Sequence, residues 1–362
     1  MKRLVAVDTM PEFETLTIES SNLMIEAKSL RAQGETFESA IKWVEAGRKL
    51  AELGTRLLYA GHTYEAAQDI LHSAASFLQA GATPNALDQL RFLEVAKELE
   101  EDVSENESLH DESATLTQDA KHLDREFREA WRQMQELMVD PRGAARLTRR
   151  WITSTLPRFP GVWQFHFYTA RKYMHEAQGS GGAAAQKFAI GHLSYAVRIH
   201  KEDPFLAILL VGQLIASRQW VKAIEVADGA VNAFPENAEV LSHAGWARLV
   251  YVFKGHGPKA ALEDAERLLR KALDTVQGRP VGRIATDYLS LFLCLRERQK
   301  SERELKKLLD EAMAANPAAA REAWALMRSP TSSIEALGHD GFQDLQRNNW
   351  NVAEALFFPT AA

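Results

Sequence analysis

Histidine, cysteine and arginine are the residue types in this chain whose spacing bears on chemistry. His166 and His175 stand nine residues apart, and His192 and His200 eight apart. Neither is the four-residue spacing, with a glutamate between, that sets two imidazoles on one helical face around zinc. Cys294, the one cysteine among 362 residues, lies in the apolar run Leu291-Phe292-Leu293-Cys294-Leu295. Apolar surroundings suppress the thiolate, so a buried, inert thiol is expected and no internal disulfide can form. No serine stands in a Gly-x-Ser-x-Gly frame. Gly179-Ser180-Gly181-Gly182 is followed by three alanines, where a phosphate-cradling loop needs lysine and then serine or threonine. The expectation is no catalytic group, no metal ligand, no cofactor and no enzymatic activity.

Arginine is the more suggestive case. Arg142, Arg146, Arg149 and Arg150, with Arg158 beyond them, form the most basic stretch, and Trp151 and Trp163 fall among them. The spacing of Arg142, Arg146 and Arg149 predicts one shared helical face. Guanidinium beside indole suits phosphate and stacked bases. Nucleic acid is therefore one partner class for this patch and an acidic protein segment another. A solvated face pairing with the chain's own carboxylates is the simplest reading. The formal net charge of −6 argues against general nucleic-acid binding.

The elements that must position these residues read as helices. Ala189 and Ala196 are followed 34 residues later by Ala223 and Ala230, and 42 residues after those by Ala265 and Ala272. Positions seven apart share a helical face, and alanine at both lets a neighbouring helix approach closely. Pro235 falls where a second helix should stop. The segment 254–259 (Lys-Gly-His-Gly-Pro-Lys) reads as the loop that absorbs the eight extra residues of the third unit. On Ala223, Ala230, Pro235, Gly245, Ala265, Leu269 and Ala272 the chain resembles the tetratricopeptide repeat family. The resemblance covers 44–80 and 183–277 well and 20–43 and 280–328 loosely, and it has no register over 85–180. It implies an all-α fold: a helix–turn–helix repeat solenoid with an irregular middle segment and a C-terminal capping tail.

A second echo lies upstream. The heptad 34–40 (Gly-Glu-Thr-Phe-Glu-Ser-Ala) returns at 61–67 as Gly-His-Thr-Tyr-Glu-Ala-Ala, and each threonine is expected to cap a helix start. Helices are expected near 17–33, 36–52, 54–60, 63–80 and 84–101. Residues 1–16 are expected to be weakly ordered, 17–101 to be N-terminal repeats and 102–117 an acidic linker. Residues 118–178 should hold a long amphipathic helix and an aromatic, basic helical segment. Within it Leu123, Phe127, Ala130, Met134 and Leu137 form one stripe, expected to pack on the solenoid, with a partner helix as the alternative. The aromatic segment 159–168 should be core. Residues 179–328 are expected to be C-terminal repeats, with two helices over 301–328 split near Asn316-Pro317, and 329–362 a cap or docking tail carrying Phe342, Leu345 and Trp350.

The resemblance implies a binding wall lined by the first helix of each repeat. Carried onto this chain, that wall is Arg171, Met174 and Gln178, then Phe205, Ile208, Gly212 and Ile215, then Glu239, Ser242, Trp246 and Leu249. Relatives that grip a C-terminal carboxylate carry Lys, Asn and Arg there, and Ile208, Gly212, Ser242 and Trp246 do not supply that clamp. The mainly apolar wall implies an extended or helical apolar peptide, with Trp246 as anchor or, equally, as core. The expected function is a non-catalytic scaffold or adaptor for a protein or peptide partner. The alternatives are a peptide- or small-ligand-sensing receptor and a nucleic-acid-associated subunit using the arginines. No apolar run reaches membrane-span length, the basic-then-apolar N-terminus is too short for a signal peptide, and a cytoplasmic location is the expectation.

Overall fold

The computed structural model describes residues 10–99, 107–138, 143–178, 182–275 and 278–328. Among them there is no strand. The fold is all-α, with fifteen helices among the described residues packed mainly on their neighbours in sequence. They are α1 Met10–Ala32, α2 Thr36–Ala60, α3 Thr63–Gln79, α4 Thr83–Leu99, α5 Glu107–Met138, α6 Arg149–Thr155, α7 Trp163–Ala177 and α8 Gly182–Ile199. Then follow α9 Pro204–Ala216, α10 Trp220–Ala233, α11 Ala238–Phe253, α12 Ala261–Asp274, α13 Val281–Glu297, α14 Glu302–Ala315 and α15 Pro317–Arg328. They gather into two compact units that divide between His200 and Lys201.

In the first unit α1 to α4 pack in succession. Close approach depends on small residues: a Cβ on Gly54 of α2 would meet Ile70 Cγ1 of α3 at 2.8 Å and the Ala66 carbonyl at 3.1 Å. That is why α2 runs unbroken from 36 to 60 and does not stop at 53. The expected threonine caps are also displaced. Glu35 and His62 occupy the N-cap positions without a side-chain cap, and Thr36 and Thr63 are the first helical residues.

The turn between α3 and α4 is keyed to the segment before α7. Gly161 N–H donates to Ala80 O at 2.7 Å, and a Cβ on Gly81 would meet Arg158 O at 2.5 Å and Phe159 Cα at 2.9 Å. Gly81 also holds φ +68°, a left-handed conformation that side chains resist. Gly81→Ala is expected to lower stability by about 3 kcal/mol, since strain and overlap add. Gly34→Ala, at φ +82° in open space, should cost only about 1 kcal/mol. Thermal melts of the two variants test the difference, and equal shifts would discount the overlap.

Several expected boundaries move. Residues 10–16 form the first turns of α1, where Glu12 pairs with Arg56 at 2.9 Å. The acidic stretch 102–117 is not wholly a linker. Residues 102–106 lie outside the described residues, but 107–117 open α5, because Leu109, Leu116 and Ala120 carry an apolar stripe into the core with Leu90 and Leu93. Farther along α5, Ala130 and Met134 are buried, and the helix packs on α3 and α4 of its own unit. Phe159, Phe165 and Tyr168 are buried as expected. The glycine break at 179–181 lies outside the described residues and falls within the first unit. That unit retains α8, which packs on α7 and α2, with Ile199 joining the core of Ala27 and Val44.

In the second unit α9 pairs with α10 and α11 with α12, and α9, α11 and α13 adjoin one another in order. Ala223 and Ala230 of α10 and Ala265 and Ala272 of α12 are all buried, as are Ala189 and Ala196 of α8 in the first unit. A Cβ on Gly245 of α11 would meet Leu269 Cγ at 2.7 Å and the Ala265 carbonyl at 3.2 Å. This repeats the contact of Gly54 with Ala66 and Ile70, and it is the packing reason for the alanine spacing. The segment 254–260 links α11 to α12, with Gly257 against the Tyr251 ring. The last two helices part at Asn316, whose Oδ1 accepts from Ala319 N at 3.0 Å. The tail 329–362 lies outside the described residues.

Candidate functional site

The residues expected to line a wall divide between the two units. In the first, Arg171 and Met174 of α7 are buried and Gln178, just past its end, is exposed. The Arg171 guanidinium stands 5.7 Å from the Tyr168 ring centroid. In the second, α9 carries Phe205, half-buried, with Ile208, Gly212 and Ile215 buried. On α11 Ser242, Trp246 and Leu249 are buried and Glu239 is half-buried. Ile208 packs with Val240 and Ala230, and Leu249 with Leu262, Ala265 and Cys294. These apolar positions are part of the core of their unit.

The polar positions meet partners absent from the expected list. Glu239 and Ser242 face α13 and Arg279, two residues before its start. Arg279 donates from Nε to Glu239 Oε1 at 3.0 Å, from Nη2 to Asp287 Oδ2 at 2.7 Å and from Nη1 to Ala272 O at 3.1 Å. The Ser242 hydroxyl donates to Asp287 Oδ1. Arg283 Nε lies 3.6 Å from Glu239 Oε2, and its Nη2 is buried with no acceptor among the described residues. His243 Nδ1 donates to Glu239 O at 2.7 Å.

The electrostatics follow from burial. Asp287 is 1% exposed, and burial pushes its carboxyl up to about 6 against the pull of Arg279 and Ser242. Burial would raise Glu239 too, but Arg283, His243 and Arg279 hold it below the ordinary value. Burial lowers Arg283, and it drops His243 to about 4. Two guanidinium groups thus meet two carboxylates, and one guanidinium nitrogen remains to be satisfied. The sequence held one usable clue: Arg279, Arg283 and Asp287 recur every four residues, which aligns the latter two on one face of α13.

The arginine patch is not one face. Arg142 lies outside the described residues, Arg146 ends a 3-10 turn over Gly143–Arg146, and Arg149 and Arg150 open α6. Thr148 starts that helix afresh, its side chain accepting from Trp151 N at 3.1 Å. Arg146, Arg149 and Arg150 are exposed. Arg158 pairs with Glu126 of α5, which holds that carboxyl low. Trp151 is no stacking platform: it is buried edge-on against Phe165 at 5.3 Å.

The histidines form a pair that the sequence spacing conceals. His166 of α7 and His192 of α8 approach to 3.2 Å between their Nδ1 atoms. Because His166 Nε2 contacts the Pro160 carbonyl at 2.9 Å, it carries the proton, and its Nδ1 accepts from His192 Nδ1–H. Burial lowers His166 to about 3, assisted by His192, and lowers His192 to about 4. Phe37, Tyr173 and Tyr195 enclose the pair. Among the described residues no three His, Cys, Asp or Glu side chains gather in a metal-binding arrangement, and no helix is long and apolar enough to cross a membrane. Cys294 is fully buried, its thiol donating to Leu262 O at 3.0 Å and pushed up to about 11 by burial.

No family model and no curated protein sequence matches this chain. Among solved structures, the crystal structure of the P58(IPK) TPR domain superposes over 91% of this chain and 97% of that one, at 13% identity and a TM-score of 0.33.

Proposed function

We propose that the second unit is a non-catalytic binding module, and that the layer of α9, α11 and α13 takes a protein or peptide segment. The observation that carries this reading is Arg283. It is 8% exposed, it lies on α13 beside α11, the helix of Trp246, and its Nη2 lacks an acceptor among the described residues. A buried guanidinium nitrogen is costly unless an acceptor arrives, and an incoming segment with a carboxylate or free carbonyl supplies one. Flanking apolar side chains on that segment would pack beside α9 and α11. The expected ligand is therefore an aliphatic or aromatic segment bearing one acidic group, and the expected role is that of an adaptor.

A random peptide library selected on the full chain should yield such segments. Arg283→Gln and Phe205→Ala, each with unchanged helical content, should weaken the selected peptides about tenfold, in keeping with loss of a charge-assisted contact and an apolar one. Selected peptides that bind both variants as well as the parent would remove this layer as the site.

A further inference from the structure

A groove in the first unit brings together donors with no acid to meet them. It has a volume of about 470 Å³ and is lined by Lys28, Arg31 and Ala32 of α1, Trp43 of α2 and Gln79 of α3. Trp43 packs with Ala27, Phe77 and Ala80 and is 6% exposed, yet it forms part of the groove wall. Its Nε1 is buried with no hydrogen-bond partner among the described residues. An indole N–H can only donate, so an acceptor must come from elsewhere to satisfy it. Lys28 and Arg31 are exposed and stand three residues apart on α1, a spacing at which like charges repel. A cation in the last turn of a helix complements its C-terminal end, which accounts for Arg31 but not for Lys28, a turn earlier. Neither pairs with a carboxylate among the described residues. Lys28 makes no hydrogen bond there, and Arg31 Nη1 donates to the neutral Gln79 Oε1 at 2.7 Å. By contrast Lys42, Lys49 and Arg56 of α2 each pair with a glutamate of α1. With Gln79 Oε1 engaged, the side-chain polar groups left in this groove are donors, and two of them are cationic.

We propose that this groove binds a small phosphate monoester, the phosphoryl group of an apolar or aromatic alcohol. A phosphoryl group carries close to two negative charges near neutral pH and has three acceptor oxygens. That matches two cations and an indole N–H, whereas a carboxylate brings half the charge and two oxygens. Arg31 exchanges the neutral oxygen of Gln79 for a charged one, which makes a shorter and stronger bond. The charge also relieves the repulsion between Lys28 and Arg31. The organic body of the ligand lies against Ala32 and the indole ring, and the volume is that of a small-molecule site.

Phenyl phosphate, inorganic phosphate and benzoate, each added to the full chain, test this assignment. Phenyl phosphate should shift the indole N–H resonance of Trp43, identified by its loss in Trp43→Phe. Calorimetric titration should show it binding about tenfold more tightly than either of the other two anions. Lys28→Gln and Arg31→Gln change exposed residues, so both variants should melt as the parent does. Each should weaken phenyl phosphate about tenfold, in keeping with loss of one charge-assisted contact. Lys121→Gln, at an exposed lysine of α5, should leave the affinity unchanged. A Trp43 resonance that stays in place at saturation overturns the proposal. So does equal binding by the parent and both α1 variants, or an equal loss in Lys121→Gln, which would mean an anion held by surface charge only. Benzoate binding as tightly as phenyl phosphate overturns the phosphoryl assignment, and inorganic phosphate doing so overturns the ester.

Discussion

Replacing Arg279 with alanine should destabilise the second unit by about 3–5 kcal/mol, the range for removing one partner from a buried ion pair. Arg279 is the hub of the cluster. Its side chain is 8% exposed and it holds Asp287, Glu239 and the Ala272 carbonyl at the C-terminal end of α12. Without it Asp287, 2% exposed at its side chain, retains only the Ser242 hydroxyl. Its charge would then be buried with no cation in hydrogen-bond contact, and a helix carbonyl would lose its donor. Arg298→Ala provides the comparison. Arg298 also pairs with two carboxylates, Glu263 and Glu266, but its side chain is 23% exposed and water can replace it. That loss should stay within about 1 kcal/mol. Urea unfolding followed by amide exchange in α11 to α13 reads both. Equal losses would mean that burial of the Arg279 cluster contributes nothing beyond ordinary ion pairing.

Acid should loosen the first unit through its two buried histidines, opposed over part of the range by Asp69 of α3, whose carboxyl burial pushes up to about 6. His166 and His192 are neutral in the fold, lowered from 6.5 to about 3 and about 4. As pH falls below 6.5 the unfolded chain takes up two protons that the folded chain refuses. Stability is therefore full above about pH 7 and declines as pH drops toward 4, by up to about 1.4 kcal/mol per pH unit for each imidazole. His192→Asn keeps an amide donor near His166 Nδ1 and removes one titrating group. The decline in melting temperature between pH 7 and pH 5 should be about half as steep in that variant. Imidazole resonances followed by NMR give a direct check. Either ring titrating near 6.5 in the folded protein would contradict the buried, neutral pair.

How much of this was legible in the sequence depends on whether the signal was local. The alanine spacing was legible because helix pairs of similar length press the same face together at each recurrence. Ala223, Ala230, Ala265 and Ala272 are accordingly buried. The cysteine's burial was legible because its own neighbours in the sequence are apolar. Helix continuity was harder. Gly54 reads as a break until Ile70 is seen against it, and the acidic start of α5 reads as a linker until Leu109 and Leu116 are placed against Leu90. In each case a contact across helices outweighed local propensity.

The site was the least legible part. His166 and His192 are 26 residues apart, on two helices whose pairing brings their rings together. Glu239 and Arg279 are 40 apart and meet only because α11 lies beside α13. The wall positions were assigned by resemblance, and most proved to be buried in their own units. The four basic residues at 142–150 looked like one surface, but Thr148 begins a new helix and separates Arg146 from Arg149.

From the sequence alone came the all-helical class, the small-residue recurrence that lets helices nest, and the lack of a nucleophile or ligand set in any familiar spacing. All three follow from helical periodicity, which repeats within a few turns and can be read along the chain. Which charges are buried, which histidines pair and which layer holds a guanidinium without an acceptor were decided by tertiary structure. Ionisation and hydrogen-bond satisfaction depend on what surrounds a group in space, and those surroundings come from helices distant in sequence.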